Sequence, residues 1–261
     1  MAKKLMMLKF PGRAFCLAAP CLLICCVGSS SLDPTTGDVK IQQGSAALAQ
    51  QGDKAFLTYR RAHPVSLDAT KTARVMRVAA RLQEVIQVPG TTWKFTVFKD
   101  EEANAFAVPG GKVGVNTGLL DVAKTEGQLA AVLAHEMAHV TSNHAQARVQ
   151  RQETIGLGSA LLGGLLGEAG EGENYRELSQ VGGQLVFGLP FSRGQELEAD
   201  KVGMIFMARA GYDPAEAVTL WEAMAARGGL HQAEFLSTHP VNATRIQQLK
   251  QFLPVARQQQ R

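Results

Sequence analysis

The stretch AVLAHEMAHVTSNH, residues 131–144, constrains the fold more than any other part of the chain. His135, Glu136 and His139 lie there among alanine, valine and leucine, where an unpaired polar group costs several kcal/mol. On a helix each residue advances by about 100°, so His139 lies about 40° from His135 and Glu136 about 100° from it. Both imidazoles therefore project from one side of the helix, on the face that packs inward.

This HExxH spacing allows two imidazoles to share one tetrahedral metal ion, with Glu136 beside them and free to hold a water molecule. We therefore predict one Zn²⁺ per chain. The alternative is a chance HExxH on a solvated helix, which the apolar neighbours disfavour. A catalytic zinc needs a third protein ligand and an open fourth position, so another ligand must come from elsewhere in the sequence.

His144 is the nearest further histidine, but it lies about 140° beyond His139 on a continuous helix and is expected to point elsewhere. The extended motif HExxHxxGxxH is excluded, because Ser142 and Ala145 occupy its glycine and histidine positions. All four cysteines lie before residue 27, so the third ligand should be a downstream carboxylate or histidine.

The best candidate segment is SRGQELEAD, residues 192–200. Glu196 and Asp200 are four residues apart and share a helix face, whereas Glu198 would point away. One carboxylate could bind the metal while the other orients a ligand imidazole. Acidic residues also favour the start of a helix for electrostatic reasons, so the spacing by itself leaves the assignment open.

Composition indicates a globular protein with no electrostatic signature of nucleic-acid binding. The chain has 261 residues, 46% of them hydrophobic and 19% charged. Of its 27 basic residues, four precede the first acidic residue, Asp33, which leaves 23 basic against 23 acidic residues in the body. A neutral body lacks the basic surface that phosphate binding requires.

Residues 1–28 have the pattern of a secretory signal peptide: a basic start, a short apolar run and small residues after it. The sequence Leu23-Ile24-Cys25-Cys26 resembles a bacterial lipobox, which predicts lipidation at Cys26 as a membrane tether. Simple cleavage after Ser29 and an uncleaved anchor are the alternatives. The expected location is the periplasm of a bacterial cell envelope, attached to a membrane.

Periodicity predicts an α+β fold that is mainly helical, with a small β-sheet next to the HExxH helix. The predicted helices cover residues 68–87, 125–150, 196–210, 214–228 and 241–253, and the predicted strands cover 92–98, 104–108 and 112–116. Residues 29–60 are expected to form a linker and an N-terminal helix, 61–256 the main domain, and 257–261 a polar tail. The glycine-rich segment 155–170 is interpreted as a lid, with a membrane-dipping element as the alternative.

Several motifs, taken in order, resemble peptidase family M48, the gluzincin metallopeptidases that include the CAAX prenyl protease. The motifs are NAFAVPGG (104–111), KVGVNTGLL (112–120), HEMAHV (135–140), SRGQELEAD (192–200) and STHPVNATRI (237–246). The resemblance implies a zincin-type metalloprotease domain. The small size and the leader resemble the periplasmic, often lipidated, branch of the family.

The resemblance also implies roles for individual residues. His135, His139 and Glu196 would bind zinc, and Asp200 would support a ligand. Glu136 would act as general base and then acid, and His239 would approach the metal or the oxyanion, although it could simply begin a helix.

Substrate would lie along the strand that contains Asn104, Phe106 and Ala107, near Arg245, although Phe106 could also serve core packing. The implied substrates are unfolded or misassembled envelope proteins. Two rivals remain open: a chaperone-like binding module with structural zinc, and a protease that rests with His239 in the open metal position.

Overall fold

The computed structural model describes residues 30–152, 154, 190–227 and 233–260. The strands are β1 (Lys94–Phe98), β2 (Ala105–Val108) and β3 (Lys112–Asn116). The helices are α1 (Ala46–Ala62), α2 (Ala69–Val85), α3 (Leu119–Val122), α4 (Glu126–Thr141), α5 (Arg193–Arg209), α6 (Ala215–Arg227), α7 (Ala233–Thr238) and α8 (Ala243–Arg257), and residues 144–152 are also helical. The predicted leader and the glycine-rich segment 155–170 lie outside the described residues.

The three strands form the predicted small sheet, in the order β1-β3-β2. β1 runs parallel to β3 and β2 runs antiparallel to it, with Phe106 opposite Gly114. A turn at Gly110 and Gly111 joins β2 to β3, and both glycines have positive φ, which residues with a side chain rarely adopt. Among the described residues β2 is therefore an edge strand, and it packs beside α4.

Helix α4 forms the centre of the fold. Thr125 caps it by accepting a hydrogen bond from the N–H of Gln128, one half of the capping box for which threonine followed three residues later by glutamine is typical. The Gln128 side chain, however, accepts from the N–H of Lys124 and not from that of Thr125. Leu129 and Leu133 are fully buried, and α4 packs most extensively against α5. The prediction of a mainly helical fold with its sheet next to this helix is confirmed.

The prediction that this helix continues to Gln150 is wrong. Helix α4 ends at Thr141, and helical structure resumes only at residue 144. Asn143 has φ of 52°, in the left-handed region that asparagine tolerates better than most residues. The break redirects the chain, so His144 does not continue the angular progression of α4.

Two other helix bounds differ from the prediction. Helix α5 starts at Arg193 because Ser192 and Gln195 form a complete capping box. Helix α8 extends past Pro254 to Arg257. Pro254 has no N–H to donate to the carbonyl of Lys250, but Lys250 is exposed, so water can satisfy that carbonyl.

The segment before α1 lies against the body of the protein. Leu32 belongs to the main hydrophobic core and is 7% exposed. The N–H of Gln42 donates to the carbonyl of Thr141 at the end of α4, and Arg209 donates to the carbonyl of Gly37. Bonds from the N-terminal segment thus reach both α4 and α5.

No helix among the described residues combines the length and the apolar character that crossing a bilayer requires.

Candidate metal centre

Four buried side chains from three parts of the fold bring one donor atom each to a common point. His135 and His139 come from α4, Glu196 comes from the first turn of α5, and His239 follows α7. His135 Nε2 lies 3.1 Å from His139 Nε2 and 3.2 Å from His239 Nδ1. Glu196 Oε1 lies 3.0 Å from His239 Nδ1 and 3.5 Å from His139 Nε2. Only the described residues enter this grouping.

These spacings fit one tetrahedral metal ion. Metal bonds of about 2.0–2.1 Å in a tetrahedron place the ligand atoms about 3.3–3.4 Å apart, close to the 3.0–3.5 Å separations found here. Three imidazoles and one carboxylate are a donor set that suits zinc. The predicted single metal ion per chain therefore has a preformed site among the described residues.

A carboxylate and a guanidinium lie behind His135. Its Nδ1 is 2.9 Å from Asp200 Oδ1, so the second ring nitrogen faces an acceptor. Arg245 donates to both oxygens of Asp200, at 2.5 and 2.8 Å, and its Nη1 lies 2.9 Å from Glu196 Oε2. The guanidinium also stacks on Trp221, 4.7 Å from the ring centroid. This arrangement holds the carboxylates of Glu196 and Asp200 in place.

Arg245 was expected to contact substrate, and the structure does not support that role. The side chain is buried, and its guanidinium binds Asp200, Glu196 and the carbonyl of Pro240. A group whose donors are directed at these partners is not available to an incoming peptide. The side chain instead lies behind the donor cluster, where it contacts Glu196 and Asp200.

A second polar chain lies behind His139. His139 Nδ1 is 2.9 Å from Nδ1 of His144, and His144 Nε2 is 3.5 Å from Glu198 Oε2. A continuous helix through Asn143 would keep these two rings apart, and the break there is what brings them into contact. His144 does not belong to the group of donor atoms described above.

Glu136 is buried beside the four donor atoms. Its Oε2 accepts a hydrogen bond of 3.1 Å from the backbone N–H of Ala107 on the edge strand. Its Oε1 has no hydrogen-bond partner among the described residues and lies 3.3 Å from His239 Nε2. A buried carboxylate oxygen that accepts no hydrogen bond is costly, so a donor such as a water molecule would stabilise it at this position.

Burial and neighbouring charges set the protonation of the centre. Burial would lower the pKa of His135, but Asp200 and Glu196 outweigh it and raise that pKa to about 9. Burial and the charge of His135 hold the pKa of His139 well below 6.5. Burial raises the pKa of Glu136 above 4.5. The two histidines of HExxH thus differ sharply in basicity before any metal binds.

A cavity of about 260 Å³ opens next to the centre. It lies between the edge strand and the start of α1, and its lining includes Ala107, His139, Arg148 and Phe191. The ring of Phe191 stacks on that of His139 at a centroid distance of 3.9 Å. Ala107, predicted to contact substrate, therefore lies where a cavity, the edge strand and the donor atoms meet.

The other two residues predicted to contact substrate lie elsewhere. The ring of Phe106 packs in an aromatic cluster with Phe56, Tyr59 and Phe98, in line with the alternative of core packing. Asn104 is buried just before β2, and its carbonyl accepts from the N–H of Asn116. Contact of these two side chains with substrate stays a prediction without support from the geometry.

Comparison with known proteins decides the family. The profile described as "Peptidase family M48" matches residues 69–253, a range that contains every residue of the centre. The chain belongs to peptidase family M48. This confirms the resemblance drawn from the motifs, and the metallopeptidases of this family are zinc-dependent.

Individual relatives come from both mitochondria and bacteria. The mitochondrial metalloendopeptidase OMA1 of Schizosaccharomyces pombe is 37% identical over 213 residues, which cover 80% of this chain and 58% of the relative. OMA1 of Saccharomyces cerevisiae is 34% identical over 175 residues, 64% of this chain and 49% of the relative. The beta-barrel assembly-enhancing protease of Escherichia coli is 30% identical over 206 residues, 76% of this chain and 42% of the relative. This chain spans about half the length of these curated relatives.

Proposed function

We propose that this protein is a zinc-dependent endopeptidase of the bacterial cell envelope that cleaves unfolded or misassembled proteins. The observation that carries the proposal is the buried Glu136 carboxylate, one oxygen of which faces the four-donor cluster without a hydrogen-bond partner among the described residues. His135, His139 and Glu196 would hold the zinc. Zinc, when bound, polarises the scissile carbonyl and makes a water molecule a better nucleophile at neutral pH.

Glu136 would move the proton in this reaction. Its Oε1 accepts a proton from the attacking water and delivers it to the leaving amine. Burial raises the pKa of this carboxyl above 4.5, which makes it a better base than an exposed glutamate. The hydrogen bond from Ala107 fixes Oε2, so the carboxylate is oriented before the substrate arrives.

The edge strand gives the substrate a place to bind. Main-chain groups of an extended peptide can pair with an exposed strand edge, which requires no particular side-chain sequence. Such binding selects unfolded chains, because folded proteins seldom present an extended segment. The cavity beside Ala107 would then receive one substrate side chain.

The substrate class is tested by offering the full-length protein one substrate in two states. The same substrate is supplied native and in an unfolded, carboxymethylated form, with zinc, with a chelator, and with zinc restored after chelation. We expect cleavage of the unfolded form that the chelator abolishes and zinc restores. Equal cleavage of both forms would reject the preference for unfolded chains, and no cleavage of either would count against the protease.

A second candidate state is a protease that rests with His239 as the fourth metal ligand. His239 is only 4% exposed, and its Nδ1 lies within 3.2 Å of both His135 Nε2 and Glu196 Oε1. A catalytic zinc needs that fourth position for water, so His239 would have to move away before hydrolysis. In this state the active site is complete, but cleavage is slow because His239 occupies the position that water needs.

The variant His239→Ala separates the resting state from a catalytic role for His239. A resting inhibitor predicts faster cleavage of unfolded substrate and a lower zinc affinity in the variant. A role in stabilising the transition state predicts slower cleavage with little change in zinc affinity. Unchanged cleavage and affinity would reject both roles.

We also propose that lipid on Cys26 tethers the protein to a membrane in the envelope. Support comes from the leader and from the bacterial relative named for β-barrel assembly, whereas the OMA1 relatives are named as mitochondrial. The variant Cys26→Ser should move the protein from the membrane fraction to the soluble periplasmic fraction. Retention of the variant in the membrane fraction would contradict the tether.

A further inference from the structure

We propose that His144 and Glu198 are positioning residues for His139, holding its ring in the tautomer and orientation that present Nε2 to the metal. The inference rests on the proposed function, because it takes His139 as a zinc ligand. It assigns a role to two side chains that the cleavage mechanism does not use.

The contact between the two rings is buried and direct. His139 Nδ1 and His144 Nδ1 lie 2.9 Å apart, and both residues are among the buried polar side chains. The ring planes are inclined by 72° to each other, so the rings do not stack and the nitrogens meet edge to edge. A hydrogen bond is therefore the interaction that this geometry supports.

The direction of that hydrogen bond follows from the metal site. His139 Nε2 faces the other donor atoms, and a nitrogen that binds a metal carries no proton. In the neutral ring the remaining proton must be on Nδ1, which donates to His144 Nδ1. His144 then carries its own proton on Nε2, the nitrogen that faces Glu198.

Glu198 ends this chain of bonds as a carboxylate. Its Oε1 accepts hydrogen bonds of 2.6 Å from both the N–H and the hydroxyl of Ser31. Ser31 in turn contacts the hydroxyl of Ser142, at the end of α4, at 2.7 Å. These bonds occupy Oε1 of Glu198, and Oε2 is the oxygen that His144 Nε2 faces.

Each histidine of the motif thus has a carboxylate behind it, reached in a different way. Behind His135 the carboxylate of Asp200 makes contact directly, while behind His139 the carboxylate of Glu198 acts through His144. A ligand imidazole whose second nitrogen is hydrogen-bonded is fixed in orientation and is a stronger base. The break in the helix at Asn143 is what places His144 behind His139.

Zinc affinity of the full-length protein tests the proposal without relying on activity. Three variants are compared with wild type by competition with a chromophoric chelator. His144→Leu removes the acceptor, His144→Asn keeps an acceptor oxygen near the position of Nδ1, and Glu198→Gln removes only the charge. His63→Leu, just after α1, and Glu84→Gln, at an exposed position of α2, serve as controls for loss of a ring and loss of a charge outside the donor cluster.

We expect His144→Leu to weaken zinc binding by about 10- to 100-fold, as is typical when the group behind a ligand is lost. His144→Asn should restore most of the affinity, Glu198→Gln should weaken it by a smaller factor, and the controls should match wild type. The visible spectrum of the Co²⁺-substituted protein should change in His144→Leu, because the ligand ring is no longer held in one orientation.

Wild-type affinity and an unchanged Co²⁺ spectrum in both His144→Leu and Glu198→Gln would overturn the inference. If His144→Leu fails to fold, as judged by circular dichroism, Glu198→Gln decides the matter alone. Failure of the proposed function would instead appear in the wild type, as no zinc binding or no cleavage of unfolded protein. Wild type that binds zinc and cleaves, alongside variants that match it, would reject the positioning role only.

Discussion

The basicity of individual residues determines how this centre takes up a metal. In the metal-free protein His135 lies between Asp200 and Glu196, which raise its pKa to about 9, whereas His139 is neutral because its pKa is well below 6.5. At pH 7 the metal must therefore displace one proton, the one on His135 Nε2. Zinc affinity should rise with pH up to about 9 and level off above it.

Calorimetry of zinc binding at pH 7, in two buffers of different ionisation enthalpy, measures this proton directly. We expect release of about one proton per zinc at pH 7 and of almost none at pH 10, where His135 is already neutral. The metal-free fold should also lose the stability contributed by this ion pair as the pH rises through about 9, since the folded pKa exceeds the ordinary value of 6.5. Zinc uptake at pH 7 without proton release would contradict the charge assigned to His135.

A second prediction for a single residue concerns Arg245, which neutralises two buried carboxylates. Arg245→Met should lower the free energy of unfolding by about 3–5 kcal/mol, because Asp200 would stay buried without its main partner. The control is Arg257→Met, since Arg257 forms an exposed ion pair with Asp213 and its loss should cost about 1 kcal/mol or less. Urea unfolding of the metal-free variants measures both, and equal effects would contradict the account of Arg245.

At the level of elements, the site depends on how closely α4 and α5 approach each other. Gly203 on α5 faces the backbone of α4, and a Cβ built there would lie 3.1 Å from the N atom of His135. Such a contact is tighter than about nine in ten real ones, and the neighbour is backbone, which cannot rotate away. The glycine therefore sets the distance between the helix that carries the histidines and the helix that carries Glu196.

Two glycine substitutions on α5 test this contact against a matched control. Gly203→Ala should destabilise the protein and weaken zinc binding, because it pushes the helices apart. Gly194→Ala, where a Cβ meets no atom within 4 Å, should leave zinc binding unchanged and raise stability by about 0.5–1 kcal/mol. Thermal unfolding measures the change in stability, and chelator competition measures the change in zinc affinity. A change in stability of the same sign for both substitutions would contradict the role of Gly203.

Elements with strong local signals were predictable from sequence, and those that depend on distant partners were not. The three strands and the helix capped by Asp68 follow from alternation and capping, and they are present. The end of α4 does not follow from local pattern: the carbonyl of Thr141 accepts from Gln42, and the hydroxyl of Ser142 contacts Ser31. Both partners lie about 100 residues earlier in the chain. Ser-Asn at 142–143 was the one local signal that could have indicated the break.

The same distinction applies to the centre. Positions of His135, Glu136 and His139 on one inward face follow from helical spacing, and all three are buried. The partners of Arg245 could not be predicted from helical spacing. Its burial depends on how α8 packs against α5, a contact between segments about 45 residues apart. Sequence spacing therefore predicted which side chains of α4 share a buried face, but not the side chains that pack behind them.

At the level of the whole molecule, the N-terminal segment belongs to the folded body. Leu32 is buried in the main core, and Ser31 contacts Glu198 behind the candidate metal ligands. Residues 29–60 had been expected to form a linker and a helix ahead of the domain, a boundary that stays a prediction. The packing indicates that the stability of the fold depends on this segment.

A pair of leucines tests that dependence. Leu32→Ala should lower the free energy of unfolding by about 2 kcal/mol or more, because it leaves a cavity in the core. Leu67→Ala is the control, since Leu67 is 97% exposed and its loss should be almost neutral. Urea unfolding distinguishes them, and a Leu32 effect as small as the Leu67 effect would show that the segment contributes nothing to the fold.

The most direct test of the central claim is the variant Glu136→Gln, assayed for cleavage of unfolded protein and for zinc content in the same preparation. Glutamine keeps the size of the side chain and the bond from Ala107 but cannot accept the proton from water. We predict that cleavage falls by at least about 100-fold while zinc stays at one per chain. Cleavage at the wild-type rate by the zinc-loaded variant would contradict the role of Glu136 and, with it, the proposed mechanism.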